Sequence, residues 1–99
     1  TKGRVVVVED IMSAIRVGET TLAISLLGTK ADTNQINTLS RFSNVTTWLD
    51  SDKAGRNGSK TIRQAVGLLT NTTDIVTELD PKSYSNQQIE KILCKHDHS

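Results

Sequence analysis

The chain has 99 residues, of which 12 are basic and 11 acidic, giving a formal net charge of +1. This length provides one small domain, and with 35% apolar but only 3% aromatic residues its core is predicted to be aliphatic. The near-neutral charge argues against nucleic-acid binding through bulk charge, though not against a local basic face, and no apolar run approaches the roughly 18 residues of a membrane span.

Four apolar segments predict β-strands. Residues 3–10 (GRVVVVED) are too uniformly apolar for a half-exposed strand and too short for a buried helix, so we expect a parallel strand buried on both faces. Residues 20–28 and 44–50 show the same character, and residues 73–79 form a weaker fourth segment. Trp48, inside the third segment, is predicted to belong to the core.

Segments with helical periodicity follow each strand. The apolar residues that carry this periodicity, or are otherwise predicted to lie in the core, are Ile11, Met12, Ile15, Ile36, Leu39, Ile62, Ala65, Val66, Leu69, Ile89, Ile92 and Leu93. Gly18 is predicted to end the first helix, and Asp32 or Thr33 to cap the second. Ser59 is predicted to cap the third helix. Ser85 is expected to cap the fourth, with Gln88 completing a capping box.

This alternation of strands and helices predicts a doubly wound α/β domain. A strand followed by a helix and a parallel strand crosses over with right-handed geometry, so the four strands should form one parallel sheet with flanking helices. We expect residues 1–95 to form a single domain and residues 96–99 a tail. Because the sequence begins at Thr1 without methionine, we also expect it to be part of a longer protein.

Four acidic residues stand at the ends of three of the predicted strands or just after them: Glu9, Asp50, Asp52 and Asp80. The carboxyl ends of parallel strands meet at one edge, where ligands bind in open α/β sheets. We therefore expect these carboxylates to converge, with Asp50 and Asp52 on the same side of an extended segment. Carboxylate oxygens without nearby His or Cys suit Mg²⁺ or Mn²⁺. The alternative is that each acid caps a helix.

Basic residues around this edge are candidates for binding phosphate or nucleic acid: Lys30, Lys53, Arg56, Lys60 and Arg63. Lys53 and Arg56 are predicted to lie in a turn that Gly55 and Gly58 permit, close to a ligand. Lys60 and Arg63 are three residues apart and share a helix face, where a solvated surface is the alternative. Lys53 adjoins the acidic pair and is the strongest of these candidates.

Cys94 is the only cysteine. It cannot form an internal disulfide, which is typical of a protein from a reducing compartment. No signal peptide is evident either.

These motifs resemble the Toprim domain shared by primases, topoisomerases and some nucleases. The resemblance lies in a Glu that closes the first strand, in LLGTKAD after the second and in DSDKAGRNG after the third, and it covers nearly the whole chain. Residues 5–19 (VVVVEDIMSAIRVGE) and 77–93 (TELDPKSYSNQQIEKIL) are most similar to phage primases and primase-helicases. The segment LDPKSYS is similar to the KDPD-type segment of bacterial primases.

The resemblance implies roles for individual residues. Glu9 matches the family's acid, proposed as a general acid or base or as a metal ligand. Asp50 and Asp52 match the acidic pair that holds the metal, and Asp80 matches a later metal-binding aspartate. Ser13 stands where many primases carry a further aspartate, so we expect fewer ligands there or a water that bridges to Ser13.

The implied function is the Toprim catalytic domain of a phage-encoded DNA primase that synthesises RNA primers in the cytoplasm of a bacterial host. Its partners would be single-stranded DNA template, nucleoside triphosphates and the remaining primase or helicase domains, with no membrane. We expect the isolated chain to bind Mg²⁺ weakly and to make little primer. Two alternatives are a Toprim nuclease or topoisomerase fragment and a non-enzymatic α/β metal-binding or interaction domain. Tyr84 lies in the wrong kind of segment for a topoisomerase nucleophile.

Overall fold

A computed structural model of the protein describes residues 2–26 and 33–95. The elements are β1 (Lys2–Val8), α1 (Ile11–Gly18), β2 (Ala23–Ser25), α2 (Thr33–Leu39), β3 (Phe42–Thr47), α3 (Lys53–Val66), β4 (Asn71–Asp74), a 3₁₀ helix (Pro81–Ser83) and α4 (Asn86–Lys95). The four strands form one sheet in the order β2-β1-β3-β4, with every neighbouring pair parallel. The predicted α/β fold, a parallel sheet with flanking helices, is confirmed.

The strand order places a switch in the direction of winding between β1 and β3. The connection through α1 leads from β1 to β2 on one side, and the connection through α2 returns past β1 to β3 on the other. The crevice outside the carboxyl ends of two such strands is where open α/β sheets bind ligands. We call this side of the sheet the carboxyl edge.

The core lies in two layers, one on each face of the sheet. One layer is built from Val5, Val7, Leu26, Leu39, Phe42, Val45, Leu49, Ile62 and Val66, and thus includes residues of α2 and α3. The other is built from Val6, Val8, Val17, Trp48, Ile75, Ile89 and Leu93, and includes residues of α1 and α4. Alternate valines of β1 enter opposite layers, which explains its uniformly apolar sequence. The predicted burial of Trp48 is confirmed, and its Nε1 donates to Thr77 Oγ1 at 2.9 Å.

The strands end earlier than their apolar patterns predict. The fourth strand runs from Asn71 to Asp74 rather than through residues 73–79, and the third begins at Phe42 and ends at Thr47. β4 lies at an edge of the sheet, where polar residues are tolerated because one side of the strand is solvated. The apolar residue Ile75 is buried just after β4 instead of within it.

Helix α1 faces the sheet with a different side than predicted. Ile11, Met12 and Ile15 are 54%, 62% and 57% exposed, so the prediction that Met12 lies in the core is wrong. Ser13 and Val17 are buried instead. Both pairs have the i, i+4 spacing, so periodicity alone could not choose between them. The rotation of the helix is set where Asp10 caps it, with Asp10 Oδ1 accepting from Ser13 N at 2.7 Å.

Helix α3 begins six residues before the predicted cap. Its N-cap is Asp52, whose Oδ1 accepts from Gly55 N at 2.7 Å, and Ser59 is buried within the helix. Lys53 and Arg56 therefore belong to the helix rather than to a turn. Ile62 and Val66 are buried as predicted, but Ala65 and Leu69, predicted on the same stripe, are exposed.

Helix α4 has the predicted capping box. Ser85 N donates to Gln88 Oε1 at 2.9 Å, and Gln88 N donates to Ser85 Oγ at 3.2 Å. Ile89 and Leu93 are buried, and Ile92 packs against the same layer. Along the described residues, the helices lack the combined length and apolar character that crossing a bilayer requires.

Candidate metal centre

Three acidic residues meet at the carboxyl edge: Glu9, Asp50 and Asp80. Glu9 directly follows β1, and Asp50 lies three residues beyond β3, so the two flank the switch between these strands. Asp80 lies in the loop between β4 and the 3₁₀ helix. We call these three residues the acid cluster. Their meeting follows from parallel strands ending at one edge, although they are separated by up to 71 positions in sequence.

The acid cluster is electrostatically strained. A hydrogen bond with Glu9, then partial burial, then a hydrogen bond with Asp80 together raise the pKa of Asp50 to about 7, and repulsion from both carboxylates adds to the effect. A carboxyl with a pKa raised by like charges in a crevice is typical of functional sites.

Asp80 is held by its backbone rather than by capping with its side chain. Its main-chain carbonyl accepts from Ser83 N at 2.9 Å and opens the 3₁₀ helix, but its carboxylate makes no capping hydrogen bond. That carboxylate is left for Asp50 and for Lys82, whose Nζ lies 3.4 Å from Asp80 Oδ2. Lys82 Nζ also lies 3.0 Å from Asp10 Oδ2. Lys82 therefore joins two acidic residues beside the acid cluster.

Asp52 is placed differently from Asp50. One of its carboxylate oxygens caps α3, and the neighbours that raise the pKa of Asp50 are Glu9 and Asp80. The backbone approaches closely here, since a Cβ added to Gly55 would lie 2.0 Å from the carbonyl oxygen of Asp50. The glycine therefore lets the start of α3 rest against the backbone that carries Asp50, which corrects the prediction that it serves a turn.

Ser13 lies beneath the cap of α1. Its hydroxyl oxygen is buried and has no hydrogen-bond partner among the described residues, although it is close enough to the Asp10 carboxylate to help lower the pKa of that group. Burial opposes the lowering of the Asp10 pKa, and the backbone N–H of Ser13 and the ammonium of Lys82 favour it. Asp10 therefore caps α1 and pairs with Lys82.

Two of the predicted phosphate-binding residues have a partner within the protein. Arg56 Nη1 donates to Asp74 Oδ2 at 2.7 Å, and Arg63 Nη2 lies 3.7 Å from the same oxygen. Thr47 Oγ1 donates to Asp74 Oδ1 at 2.7 Å. Asp74 thereby ties α3 to the ends of β3 and β4. Lys53 and Lys60 are exposed on α3, whereas Lys30 lies outside the described residues.

Replacing Asp74 by asparagine is expected to destabilise the protein by about 1–2 kcal/mol, because two partly buried guanidinium groups would lose their carboxylate. Urea unfolding followed by circular dichroism measures the change. Glu78→Gln removes a carboxylate at an exposed position nearby and should change the free energy of unfolding by less than about 0.5 kcal/mol. Equal effects of the two substitutions would contradict the structural role of Asp74.

The acid cluster has donors for a hard cation but is not arranged as a metal site. Within residues 2–26 and 33–95, no three or more Asp, Glu, His or Cys side chains are spaced to hold a metal ion as they stand. The carboxyl group of Asp50 hydrogen-bonds instead with Glu9 and with Asp80. Their all-oxygen donor set is nevertheless the type that Mg²⁺ and Mn²⁺ prefer, and a cation would offset the repulsion among these carboxylates.

Comparison with known proteins identifies the fold family. The model of the Toprim-like family matches residues 6–93. The chain belongs to this family. The predicted Toprim resemblance is therefore confirmed, and the matched range contains the whole acid cluster. No curated protein matches the Toprim-like chain significantly.

A solved structure shows the same fold in a primase. The crystal structure of the Aquifex aeolicus primase, with its zinc-binding and RNA polymerase domains, matches 96% of this Toprim-like chain with a TM-score of 0.79 and 20% sequence identity. The match covers 26% of that primase chain, so the protein described here spans about a quarter of its length. At this identity the likeness concerns the fold alone.

Sequence reasoning identified the acid cluster but missed two residues around it. Lys82 was not a candidate, although it lies two positions after Asp80 in the segment LDPKSYS. Asp74 was also overlooked, because the predicted fourth strand began at residue 73, whereas β4 ends at Asp74. What the sequence did not reveal was their partners, because Lys82 and Asp10 are 72 positions apart and Arg56 and Asp74 are 18 apart.

Proposed function

We propose that this Toprim-like domain is the metal-binding catalytic part of a DNA primase of the phage type, which synthesises RNA primers by nucleotidyl transfer. The observation that carries the proposal is the acid cluster at the switch between β1 and β3, where a hydrogen bond with Glu9, partial burial and a hydrogen bond with Asp80 raise the pKa of Asp50 to about 7. Joining nucleotides builds negative charge on phosphate oxygens, so a primase needs a site of this kind for cations.

The proposed metal ligands are Glu9, Asp50, Asp52 and Asp80. Bound Mg²⁺ or Mn²⁺ would supply charge stabilisation at the phosphate oxygens and orient the triphosphate. To hold a cation, Asp50 would exchange its hydrogen bonds to the other acids for metal contacts, and Asp52 would use the carboxylate oxygen that does not cap α3. Glu9 would also serve as the general acid or base, accepting the proton of an attacking 3′-hydroxyl at a carboxylate oxygen.

Basic residues are proposed to bind phosphate groups of nucleotide or template. Lys53 directly follows the cap of α3 and is the proposed catalytic cation, and Lys60 is exposed on the same helix. Arg56 and Arg63 would need to exchange Asp74 for phosphate, which makes them conditional contacts. Lys30 stays a prediction from sequence.

The proposed partners are single-stranded DNA template, nucleoside triphosphates and the remaining primase or helicase domains of a longer chain, in the cytoplasm of a bacterial host. Coverage of only 26% of the primase chain supports the need for further domains. The isolated chain is accordingly expected to bind metal and nucleotide but to extend primers poorly.

Magnesium titration followed by amide NMR spectra tests the metal site. We expect amide signals of Glu9, Asp50 and Asp80 to shift with saturable dependence on Mg²⁺, at millimolar concentration because only a few carboxylates contribute ligands. In the Asp50→Asn variant this response should weaken at least tenfold, whereas Glu78→Gln should respond like the parent protein. Equal shifts in the parent and in Asp50→Asn would contradict the metal site.

A second experiment separates the primase from the nuclease alternative. Adding GTP and Mg²⁺ should shift amides near Lys53 beyond the effect of Mg²⁺ alone, because the triphosphate would bridge the cation and the start of α3. Incubation with supercoiled and single-stranded DNA should produce no cleavage. Nicked or shortened DNA that depends on Asp50 would favour the nuclease reading, and the absence of any nucleotide response would argue against the primase.

A further inference from the structure

Lys82 places a positive charge at the acid cluster. Its ammonium lies 3.0 Å from Asp10 Oδ2 and 3.4 Å from Asp80 Oδ2, so it bridges a residue at the start of α1 and a member of the acid cluster. The Asp10 carboxylate and, more weakly, that of Asp80 raise the pKa of Lys82, an ammonium that is charged at neutral pH in any case. A cation built into the chain therefore stands beside the carboxylates.

The position of Lys82 is set by the fold around it. Lys82 is the middle residue of the 3₁₀ helix, which begins with the buried Pro81 and packs against α1. Tyr84 directly follows this 3₁₀ helix. Its ring packs against that of Trp48, with ring centroids 6.1 Å apart. The other contact of Lys82, Asp10, is fixed because its second carboxylate oxygen caps α1. The side chain is partly exposed, yet both of its partners are anchored.

We propose that Lys82 is a resident counter-ion of the acid cluster, occupying the place of a second divalent cation between Asp10 and Asp80, so that the cluster binds one divalent ion. The inference rests on the proposed metal site and specifies its stoichiometry. Lys82 acts as a positioning residue, since it contacts both Asp10 Oδ2 and Asp80 Oδ2 and repels an additional cation. A divalent ion at that place would need both carboxylates that Lys82 now contacts.

Removing this charge should strengthen divalent binding. A unit positive charge a few ångströms from a divalent ion in a largely aqueous site repels it enough to weaken its binding about tenfold. Lys82→Met is therefore expected to bind Mn²⁺ about tenfold more tightly than the parent, or to take up a second ion. Lys82→Arg retains the charge and should resemble the parent in affinity and stoichiometry.

Titration with Mn²⁺, followed by the electron paramagnetic resonance signal of free Mn²⁺, measures the affinity and the number of ions. The control is Lys95→Met, which removes the same charge at the far end of α4 and should bind like the parent. Circular dichroism of each variant verifies folding.

The results separate this inference from the proposed function. One ion in the parent, with tighter or additional binding in Lys82→Met, supports it. One ion in the parent with no difference between Lys82→Met and Lys95→Met overturns the role of Lys82 but leaves the metal site. Two ions in the parent also overturn it. Binding by neither the parent nor Lys82→Met overturns both proposals, and binding by Lys82→Met alone supports both.

Discussion

Replacing Asp50 by asparagine is expected to stabilise the metal-free protein at pH 8 by about 2 kcal/mol while removing most of its metal affinity. In the folded protein Glu9, burial and Asp80 raise the Asp50 pKa from 3.8 to about 7. Between those pH values the folded chain holds a proton that the unfolded chain has released. The free energy of unfolding therefore falls as the pH rises from about 4 to 7.

Asparagine does not titrate in this range. The free energy of unfolding of Asp50→Asn should therefore rise above that of the parent as the pH increases from 5 to 8. At pH 5 the parent carries a protonated Asp50, and the two proteins should be similar in stability. Urea unfolding at both pH values with a chelator present measures the difference. An equal difference at pH 5 and pH 8 would contradict the strain assigned to the acid cluster.

At pH 8, bound metal should make the parent protein more stable than Asp50→Asn, which reverses the order of stability expected without metal. Because a ligand that binds only the folded state adds RT ln(1 + [L]/Kd), saturating Mg²⁺ is expected to stabilise the parent but not Asp50→Asn. Glu78→Gln should follow the parent in both respects, since Glu78 is exposed and outside the acid cluster. The carboxylate that destabilises the free protein would thus be the one on which cation binding depends.

Gly55→Ala is expected to destabilise the protein by about 3 kcal/mol or more. Its Cβ would lie 2.0 Å from the Asp50 carbonyl oxygen and 2.8 Å from the carbonyl carbon. Both are backbone atoms that cannot rotate aside, so α3 or the segment after β3 must shift. The substitution should also displace the amide signals of Asp50 and weaken the Mg²⁺ response.

The matched control is Gly18→Ala at the end of α1. A Cβ at Gly18 meets no atom within 4 Å, so the change should alter stability by less than about 1 kcal/mol, in the stabilising direction expected for alanine in a helix. Thermal unfolding of both variants measures the contrast. If Gly55→Ala proved as stable as Gly18→Ala, the close approach of α3 to Asp50 would be refuted.

The exposed apolar side of α1 shows that hydrophobic periodicity alone does not predict which side of a helix is buried. Ile11 and Ile15 have the same spacing as Ser13 and Val17, and the more apolar pair is the exposed one. Hydrophobic periodicity predicted that a helix would form here, but the structure buries Ser13, whose backbone N–H donates to the capping Asp10, and leaves the isoleucines exposed. A periodic pattern indicates that a helix has an apolar side, but it does not show which side of the helix packs against the sheet.

Local patterns in the sequence were sufficient for the order of strands and helices, the parallel sheet, the burial of β1 on both faces and the capping box at Ser85. They also placed Glu9, Asp50 and Asp80 at one edge, because chain direction and strand parallelism require it. The start of α3 depended on tertiary structure. Its glycines disfavour a helix intrinsically, but Gly55 allows a close approach that no side chain would permit.

The partners of the charged residues were likewise decided only in three dimensions. Asp74 receives Arg56 and Arg63, and Lys82 joins Asp10 to Asp80, because elements distant in sequence meet at the carboxyl edge. Residue type shows that a side chain is charged, but whether it contacts a substrate, a metal or another residue depends on what the fold brings within a few ångströms. Coulomb attraction and desolvation both change steeply over that distance, and sequence spacing does not report it.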